Sequence, residues 1–200
     1  YEDDSIAPLV VKRKGNDGVG EIQLDGFTLN QAGNDFVMEF DLKKSLVDPQ
    51  NSDEIFLKPR GVRLENLAES EDIEGTVSDV LIANCETDNI DIALEDGSFG
   101  HAVYLYSSDV EVPMDNYEVN EDETPADAPL ATADVVFDSD DNQFEFELAF
   151  VQPGDYQLAY TCAAHIDDAE AQDEAFTLYL VKPVTVTSGD DLEVSFTVSE

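Results

Sequence analysis

The sequence predicts an all-β protein whose main part is an antiparallel β-sandwich. Apolar and polar residues alternate over the segments 35–42, 143–150 and 155–162, as in strands that bury one face. Turns rich in Gly, Asn, Asp and Pro separate the apolar segments from one another. Only two segments, 42–48 and 164–175, have the composition of a short helix. Together these observations favour strands over helices along nearly the whole chain.

Each predicted strand is a short apolar run bounded by turn-forming residues. The three alternating segments direct one set of residues to the core, namely Phe36, Met38, Phe40 and Leu42, then Phe144, Phe146, Leu148 and Phe150, then Tyr156, Leu158, Tyr160 and Cys162. Less regular runs predict further strands at 6–14, 19–24, 54–58, 61–66, 75–83, 101–107, 132–138, 175–181, 184–188 and 192–198. The Pro153-Gly154 turn predicts a hairpin between the second and third alternating segments.

Two breaks organise the chain. The first lies near 66–74, where the charge balance also changes. We therefore predict a strand-rich N-terminal region over 1–66 and a β-sandwich domain over 67–200. The second break, 111–130, is a long acidic connection that contains prolines. Connections of this length inside a compact domain are usually functional or disordered.

Acidic residues are concentrated in the C-terminal part of the chain, and the formal net charge is −38. Residues 1–63 contain 12 acidic and eight basic residues, whereas residues 64–200 contain 35 acidic residues and one basic residue, Lys182. Such a surface repels phosphate backbones and anionic membranes, so nucleic acid is not expected as a partner. The charge can serve solubility in a salty medium, as in a marine or salt-adapted bacterium. Alternatively, it attracts divalent cations or the near-neutral N-terminal region of another molecule.

The sequence contains neither a membrane span nor a catalytic signature. No run approaches the ~20 apolar residues that a spanning helix needs. Nucleophile-elbow, phosphate-loop, zinc-protease and dinucleotide motifs are all missing. Acidic residues are so abundant that the presence of two carboxylates does not indicate glycoside hydrolase activity. We therefore predict that the protein is not an enzyme and has no cofactor, with calcium as the one exception to consider.

Cys85 and Cys162 are the two cysteines of the chain, and we predict that they form a disulfide. The alternative is a reactive thiol at Cys162 with His165 as its base. Cys162 shares the apolar face of its segment, however, and a thiol in an apolar setting is a poor thiolate. A closed loop of this length stabilises a fold by about 4–5 kcal/mol in the loop-entropy model. The disulfide also predicts an oxidising compartment, such as the cell surface or the extracellular space.

Three sets of residues are candidates for binding a metal. A copper or zinc cluster of Cys162, His165, His101 and Met114 has no supporting spacing beyond the pair Cys162 and His165. Calcium prefers clustered carboxylates on loops. The calcium candidates are Asp138, Asp140 and Asp141 in one segment, and Asp167, Asp168 and Glu170 in another. Neither segment matches the EF-hand pattern, and clusters of this kind arise by chance in so acidic a chain.

Two parts of the chain resemble a family of uncharacterised bacterial envelope lipoproteins that contain a domain of unknown function, common in marine Gram-negative bacteria. The first part consists of GFTLNQAGNDFVMEFDLKKSLVDP, IFLKPRGVRLEN and IEGTV. The second contains AVYLY, the acidic TPADAP linker, FVQPGDYQLAYTCAAHIDDAEAQDEAFTL and VTVTSGDDLEVSFTV. The second part is also similar to prealbumin-like and carboxypeptidase-regulatory-like sandwiches, in which a P-G-x-Y turn joins two core strands. The resemblance implies an immunoglobulin- or prealbumin-like sandwich, an envelope or extracellular location, no established activity, and further strands upstream in the first domain.

The leading functional hypothesis is an exported, non-enzymatic structural or interaction protein. We expect it to self-associate by β-strand addition into a homo-oligomer, a filament or a surface layer. The segment 6–14, which ends in Lys12, Arg13 and Lys14, is the predicted donor toward an acidic neighbour. The alternative is a monomeric, calcium-dependent module that binds a glycan or a protein at the cell surface. A third hypothesis is an accessory domain of a hydrolase.

Overall fold

A computed structural model describes residues 7–11, 35–47, 53–58, 61–116, 127–169, 171 and 175–198 of the chain. The predicted strand at 19–24 lies outside these residues. The described strands are β1 (Leu9–Val11), β2 (Phe36–Phe40), β3 (Leu46–Val47), β4 (Ile55–Leu57), β5 (Val62–Asn66), β6 (Glu71–Val77), β7 (Ala102–Ser107), β8 (Ala131–Asp134), β9 (Val136–Asp138), β10 (Gln143–Val151), β11 (Gly154–Thr161), β12 (Leu180–Val186) and β13 (Leu192–Phe196). The helices are α1 (Leu42–Ser45) and α2 (Asp79–Asp88), and a 3-10 turn follows at Ile90–Ile92.

Two four-stranded sheets face each other and form the main body. Their strand orders are β13-β6-β10-β9 and β12-β11-β7-β8. The core between them contains Ile73, Val77, Phe146, Leu148, Val151 and Phe196 from the first sheet, and Val103, Leu105, Ala131, Ala133, Leu158, Tyr160 and Val186 from the second. This arrangement confirms the predicted all-β, sandwich-like fold. The pairing is not antiparallel throughout, because β13 runs parallel to β6.

Strand β11 confirms the prediction that alternate residues of the segment 155–162 face the core. Leu158, Tyr160 and Cys162 are fully buried in the core between the sheets. Ala159, on the opposite face, is also fully buried, together with Tyr104 and other residues of β7. The sheet that contains β7 and β11 is therefore covered on both faces. This explains why β7 is apolar without interruption rather than alternating.

Alternation fails at the end of β10, where Phe150 was predicted to face the core. The register with β6 shifts between Leu148 and Val151, and Phe150 has a φ of 59°. The shift places Val151 in the core and leaves Phe150 half-buried. A bulge of this kind inserts residues into one strand and reverses the facing of those that follow. The sequence pattern alone does not show it.

The predicted strand over 75–83 is half wrong, because β6 ends at Val77 and helix α2 begins at Asp79. Ser78 caps the helix, its side-chain oxygen accepting from the backbone N–H of Leu81 at 3.3 Å. Leu81 and Cys85 are then buried one helical turn apart. The prediction of a helix over 164–175 is also wrong for the described part of that segment, which forms turns and bends. The prediction over 42–48 is confirmed as the short helix α1, followed by β3.

The N-terminal elements form a three-stranded sheet, β1-β4-β3, and a two-stranded sheet, β2-β5. The prediction that Met38, Phe40 and Leu42 face a core is wrong, because the exposed fractions of these three residues are 45%, 39% and 57% respectively. The opposite face of β2 contacts the sandwich instead. Glu39 forms an ion pair with Arg63 on β5, and Arg63 also donates to the backbone oxygen of Ala149 at 3.2 Å.

Helix α1 attaches these elements to the sandwich. The Nζ of Lys43 donates to the backbone oxygen of Ala164 at 2.8 Å. The Nζ of Lys44 donates to the backbone oxygen of Pro129 at 2.7 Å, in a buried bond. The division of the chain at residue 66 remains a prediction, and these bonds join its two sides.

Candidate interaction surface

The two cysteines form a buried structural disulfide. Cys85 on α2 is bonded to Cys162 after β11, with their Cα atoms 6.0 Å apart and a sequence separation of 77. Both residues are fully buried, and no cysteine is free. The Nδ2 of Asn89 donates to the backbone oxygen of Cys85 at 2.9 Å. The disulfide therefore connects the helix to the core sheet, and it removes the thiolate that a catalytic interpretation would need.

His165 is engaged by backbone groups on both ring nitrogens. Its Nδ1 accepts from the backbone N–H of Gly100 at 2.9 Å, so its Nε2 carries the proton and donates to the backbone oxygen of Ile92 at 2.8 Å. Met114 contacts the protein through its carbonyl, which accepts from the hydroxyl of Tyr106 at 2.6 Å. The metal-binding atoms of Cys162 and His165 are thus used in the disulfide and in hydrogen bonds.

His101 lies between a carboxylate and a buried tyrosine. Its Nδ1 is 2.8 Å from the hydroxyl of Tyr160, and its Nε2 is 3.2 Å from Oε1 of Glu86. The His101 and Tyr160 rings are stacked, with centroids 6.1 Å apart. Burial lowers the pKa of His101, and hydrogen bonding to Glu86 partly opposes this effect. A neutral imidazole therefore fits the site, with Nε2 donating to Glu86 and Nδ1 accepting from Tyr160.

Asp167, a predicted calcium ligand, holds a loop against the second buried face of the sheet. Its Oδ2 accepts from the hydroxyl of Tyr104 at 2.6 Å and from Nδ2 of Asn116 at 3.1 Å, and its Oδ1 accepts from the backbone N–H of Asn116 at 3.0 Å. Burial raises the pKa of Asp167, and these hydrogen bonds oppose that rise. Glu170, from the same predicted set, lies outside the described residues. Asp167 therefore serves as a hydrogen-bond acceptor within the fold.

The other predicted calcium set is partly assembled at the β9–β10 hairpin. Carboxylate oxygens of Asp138, Asp141 and Glu145 lie within 4.8 Å of one another. Asp140 is not part of this group, and its backbone N–H donates to Oδ1 of Asp138 at 2.6 Å. Glu145 was missed from the sequence because it comes from the returning strand, opposite Val136. Its position in the alternation, on the polar face of β10, was the available signal.

The predicted donor segment is described only at β1, and Lys12, Arg13 and Lys14 lie outside the described residues. Strand β1 runs parallel to β4 of its own chain, with Leu9 opposite Ile55. The backbone N–H of Ile55 donates to the oxygen of Pro8 at 2.9 Å. In a parallel ladder this register directs the peptide groups of Pro8 and Val10 toward β4. Those of Leu9 and Val11 point to the outer side, where no other described strand pairs with β1.

Three of the four edge strands of the sandwich are obstructed within the chain. At β8, Oδ2 of Asp41 accepts from both the backbone N–H and the hydroxyl of Thr132, at 3.0 and 2.7 Å. At β13, the ammonium group of Lys182 donates to the backbone oxygen of Ser195. At β12, Pro183 supplies no N–H. The fourth edge, β9, has no partner on its outer side among the described strands.

No described helix is long and apolar enough to cross a membrane. Comparison with known proteins gave no match, whether to protein-family models, to curated proteins or to solved structures. The resemblance to envelope lipoproteins and prealbumin-like domains therefore stays a prediction.

Proposed function

We propose that this chain is an exported, non-enzymatic structural or interaction protein that self-associates by β-strand addition through the outer edge of β1. The observation that carries the proposal is this edge. The outer edge presents the peptide groups of Leu9 and Val11, and Leu9 itself is 59% exposed. An unpaired strand edge is a template for pairing with another chain.

Apolar exposure on the N-terminal elements supports the same surface. Met38 and Phe40 share one face of β2, and Leu42 continues the exposed apolar run into α1. Contiguous apolar residues on a surface commonly mark an interaction site.

Charge supports association between unlike surfaces of two copies. The N-terminal 63 residues are nearly balanced in charge, whereas the rest of the chain carries one basic residue against 35 acidic ones. Within that acidic part, Lys182 is already bonded to Ser195 and lies 5.5 Å from the centre of the Phe196 ring. The basic residues able to meet another copy's acidic surface therefore come from the N-terminal region.

The proposal of export is supported by the disulfide between Cys85 and Cys162, which persists in oxidising compartments. Self-association is the part of the proposal that can be measured first.

The test is the native mass in seawater-like salt, measured by light scattering over a range of concentrations. We expect particles well above the 22.0 kDa monomer that grow with concentration. Val11→Pro removes an outward N–H from β1 and should keep the protein monomeric. Val112→Pro, in an exposed loop outside every strand, is the matched control and should assemble normally. A monomeric unmodified chain at all concentrations contradicts the proposal.

A calcium-dependent binding module is the second candidate, and the grouping of Asp138, Asp141 and Glu145 favours it. Three carboxylates at this separation are the hard oxygen ligands that calcium prefers. This candidate predicts a monomer whose Tm rises with calcium and returns to its original value with chelator. The rise should disappear in Asp141→Asn and persist in Asp109→Asn, an exposed acid in another loop. A Tm that does not respond to calcium rejects this candidate.

A further inference from the structure

The outer edge of β1 carries neither a charge nor an obstructing proline. The described segment that contains β1, residues 7–11, has no charged side chain. Pro8 does not obstruct the outer edge, because its backbone faces β4, where its oxygen accepts from the N–H of Ile55 at 2.9 Å. The peptide groups of Leu9 and Val11 point to the outer side. Edge strands are usually protected by charge, proline or a covering segment, and the described residues give this edge none of these.

The other open strand edges in the described part of the chain are shorter or charged. Strand β9 contains Asp138, and the exposed Asp134 lies at its other end. Strand β3 has only two residues. In the two-stranded sheet, β2 contains Glu39, and β5 contains Arg63 and Glu65. Since β8, β12 and β13 are obstructed, β1 is the uncharged edge of three residues that the described strands leave for pairing.

We propose that the outer edge of β1 pairs with the same edge of a second copy, antiparallel, with Val10 opposite Val10. The inference rests on the proposed self-association and names the strand that receives β1. In this register, Leu9 of each copy lies opposite Val11 of the other, and each such pair exchanges both of its N–H···O bonds. All the outward peptide groups of β1 are then bonded, and the inward groups stay with β4.

The pairing also covers exposed apolar surface without bringing acidic groups together. Leu9 is 59% exposed, and in the pair it lies beside Val11 of the second copy on one face of the joined sheet. The Val10 residues lie side by side on the other face. The formal net charge of −38 makes most contacts between two copies repulsive. A contact between two uncharged strands avoids that repulsion where the backbones meet.

The contact joins identical surfaces, so it closes on itself as a two-fold pair. The two three-stranded sheets become one continuous sheet, in which the β1 strands of the two copies are neighbours. Larger particles then grow from such pairs, through the contacts between unlike surfaces that the charge asymmetry of the chain favours.

Single-cysteine variants test the partner strand and the register together. Opposite residues that are not hydrogen-bonded to each other have Cα atoms about 4.5 Å apart, which a disulfide can span. Val10→Cys should therefore form a covalent dimer under mild oxidation, at twice the 22.0 kDa mass of the monomer on a non-reducing gel. The Leu9 residues of the two copies are diagonal neighbours about 7–8 Å apart, so Leu9→Cys should not link to itself. A mixture of Leu9→Cys with Val11→Cys should form the mixed dimer.

Two features of the chain make the comparison clean. The native cysteines are paired and fully buried, so the introduced thiol is the one available for linking. Leu9→Cys is the matched control, and Val112→Cys, in an exposed loop, measures linking by random collision. Assembly gives the Val10→Cys thiols a high effective concentration, so they should link at least about tenfold faster than either control. Circular dichroism and the intact mass with its native disulfide establish that each variant is folded.

The outcomes distinguish the inference from the function on which it rests. Fast linking of Val10→Cys and of the mixture, with slow linking of both controls, supports the two-fold pairing. If the unmodified chain assembles but Val10→Cys links no faster than Val112→Cys, or Leu9→Cys links as fast as Val10→Cys, the proposed pairing is wrong and the proposed function stands. If the unmodified chain is monomeric at all concentrations and Val10→Cys stays unlinked, both are overturned.

Discussion

Breaking the disulfide between Cys85 and Cys162 should remove a large share of the folding stability. The bond closes a loop with a sequence separation of 77 residues. In the loop-entropy model, a loop of this length contributes about 4.5 kcal/mol to the free energy of unfolding at 25 °C. Native domains have only about 5–15 kcal/mol in total. For a chain of 200 residues, the same loss corresponds to a fall in Tm of about 10 °C.

The assay is urea unfolding followed by far-ultraviolet circular dichroism, because the chain has no Trp for fluorescence. The oxidised protein is compared with the same protein in reductant and with the Cys85→Ala, Cys162→Ala double variant. The double variant is also the control for the reductant, which should not change its stability. Both cysteines are fully buried, so the Ala variant should lose slightly more through poorer packing. A loss below about 1 kcal/mol in both comparisons would refute the loop-entropy argument.

Three further predictions concern buried groups. Burial depresses the folded-state pKa of His101, so the unfolded chain takes up a proton at a higher pH than the folded chain does. The free energy of unfolding should therefore fall as the pH drops below about 6.5. Chemical denaturation at pH 7 and at pH 5 should show a smaller fall for the His101→Gln variant than for the unmodified protein. Asp167→Ala leaves the Tyr104 hydroxyl and the Asn116 side chain without their acceptor. The free energy of unfolding in urea should fall by about 1–3 kcal/mol. An unchanged urea midpoint would mean that other contacts hold the loop that contains Asp167. Gly75→Ala should cost about 3 kcal/mol or prevent folding. A Cβ at this position would lie 2.3 Å from the Val194 oxygen and 2.4 Å from the Phe146 ring. A Tm within a few degrees of that of the unmodified protein would show that β6 and β13 can separate at little cost.

The sequence was most informative where the determining interactions are local. Alternation over 155–162 predicted a strand with Leu158, Tyr160 and Cys162 in the core, and all three are buried there. Strand parity follows from backbone geometry, so it needs no knowledge of the rest of the chain. The same parity favoured the disulfide over a reactive thiol, and the disulfide is confirmed.

Local patterns failed where a distant contact decides the outcome. The apolar run 75–83 was predicted as a strand. In the structure, Ser78 caps a helix that begins at Asp79, and this helix contains Cys85, which is bonded to Cys162. Over 35–42 the alternation itself was correct, yet the apolar side of β2 is exposed because its polar side contacts the sandwich through Glu39 and Arg63. Alternation identifies two faces of a strand, and it does not say which face the rest of the protein will cover.

The candidate surface shows the same division. Composition alone determined the strong charge asymmetry, and with it the expectation that Lys12, Arg13 and Lys14 face an acidic partner. Only the tertiary structure brought Glu145 next to Asp138 and Asp141, blocked the β8 edge with a carboxylate from the N-terminal region, and left β9 without an outer partner among the described strands. Charge and periodicity are properties of residues close together in sequence. The state of a sheet edge depends on which remote segment lies beside it, and that is fixed only when the chain folds.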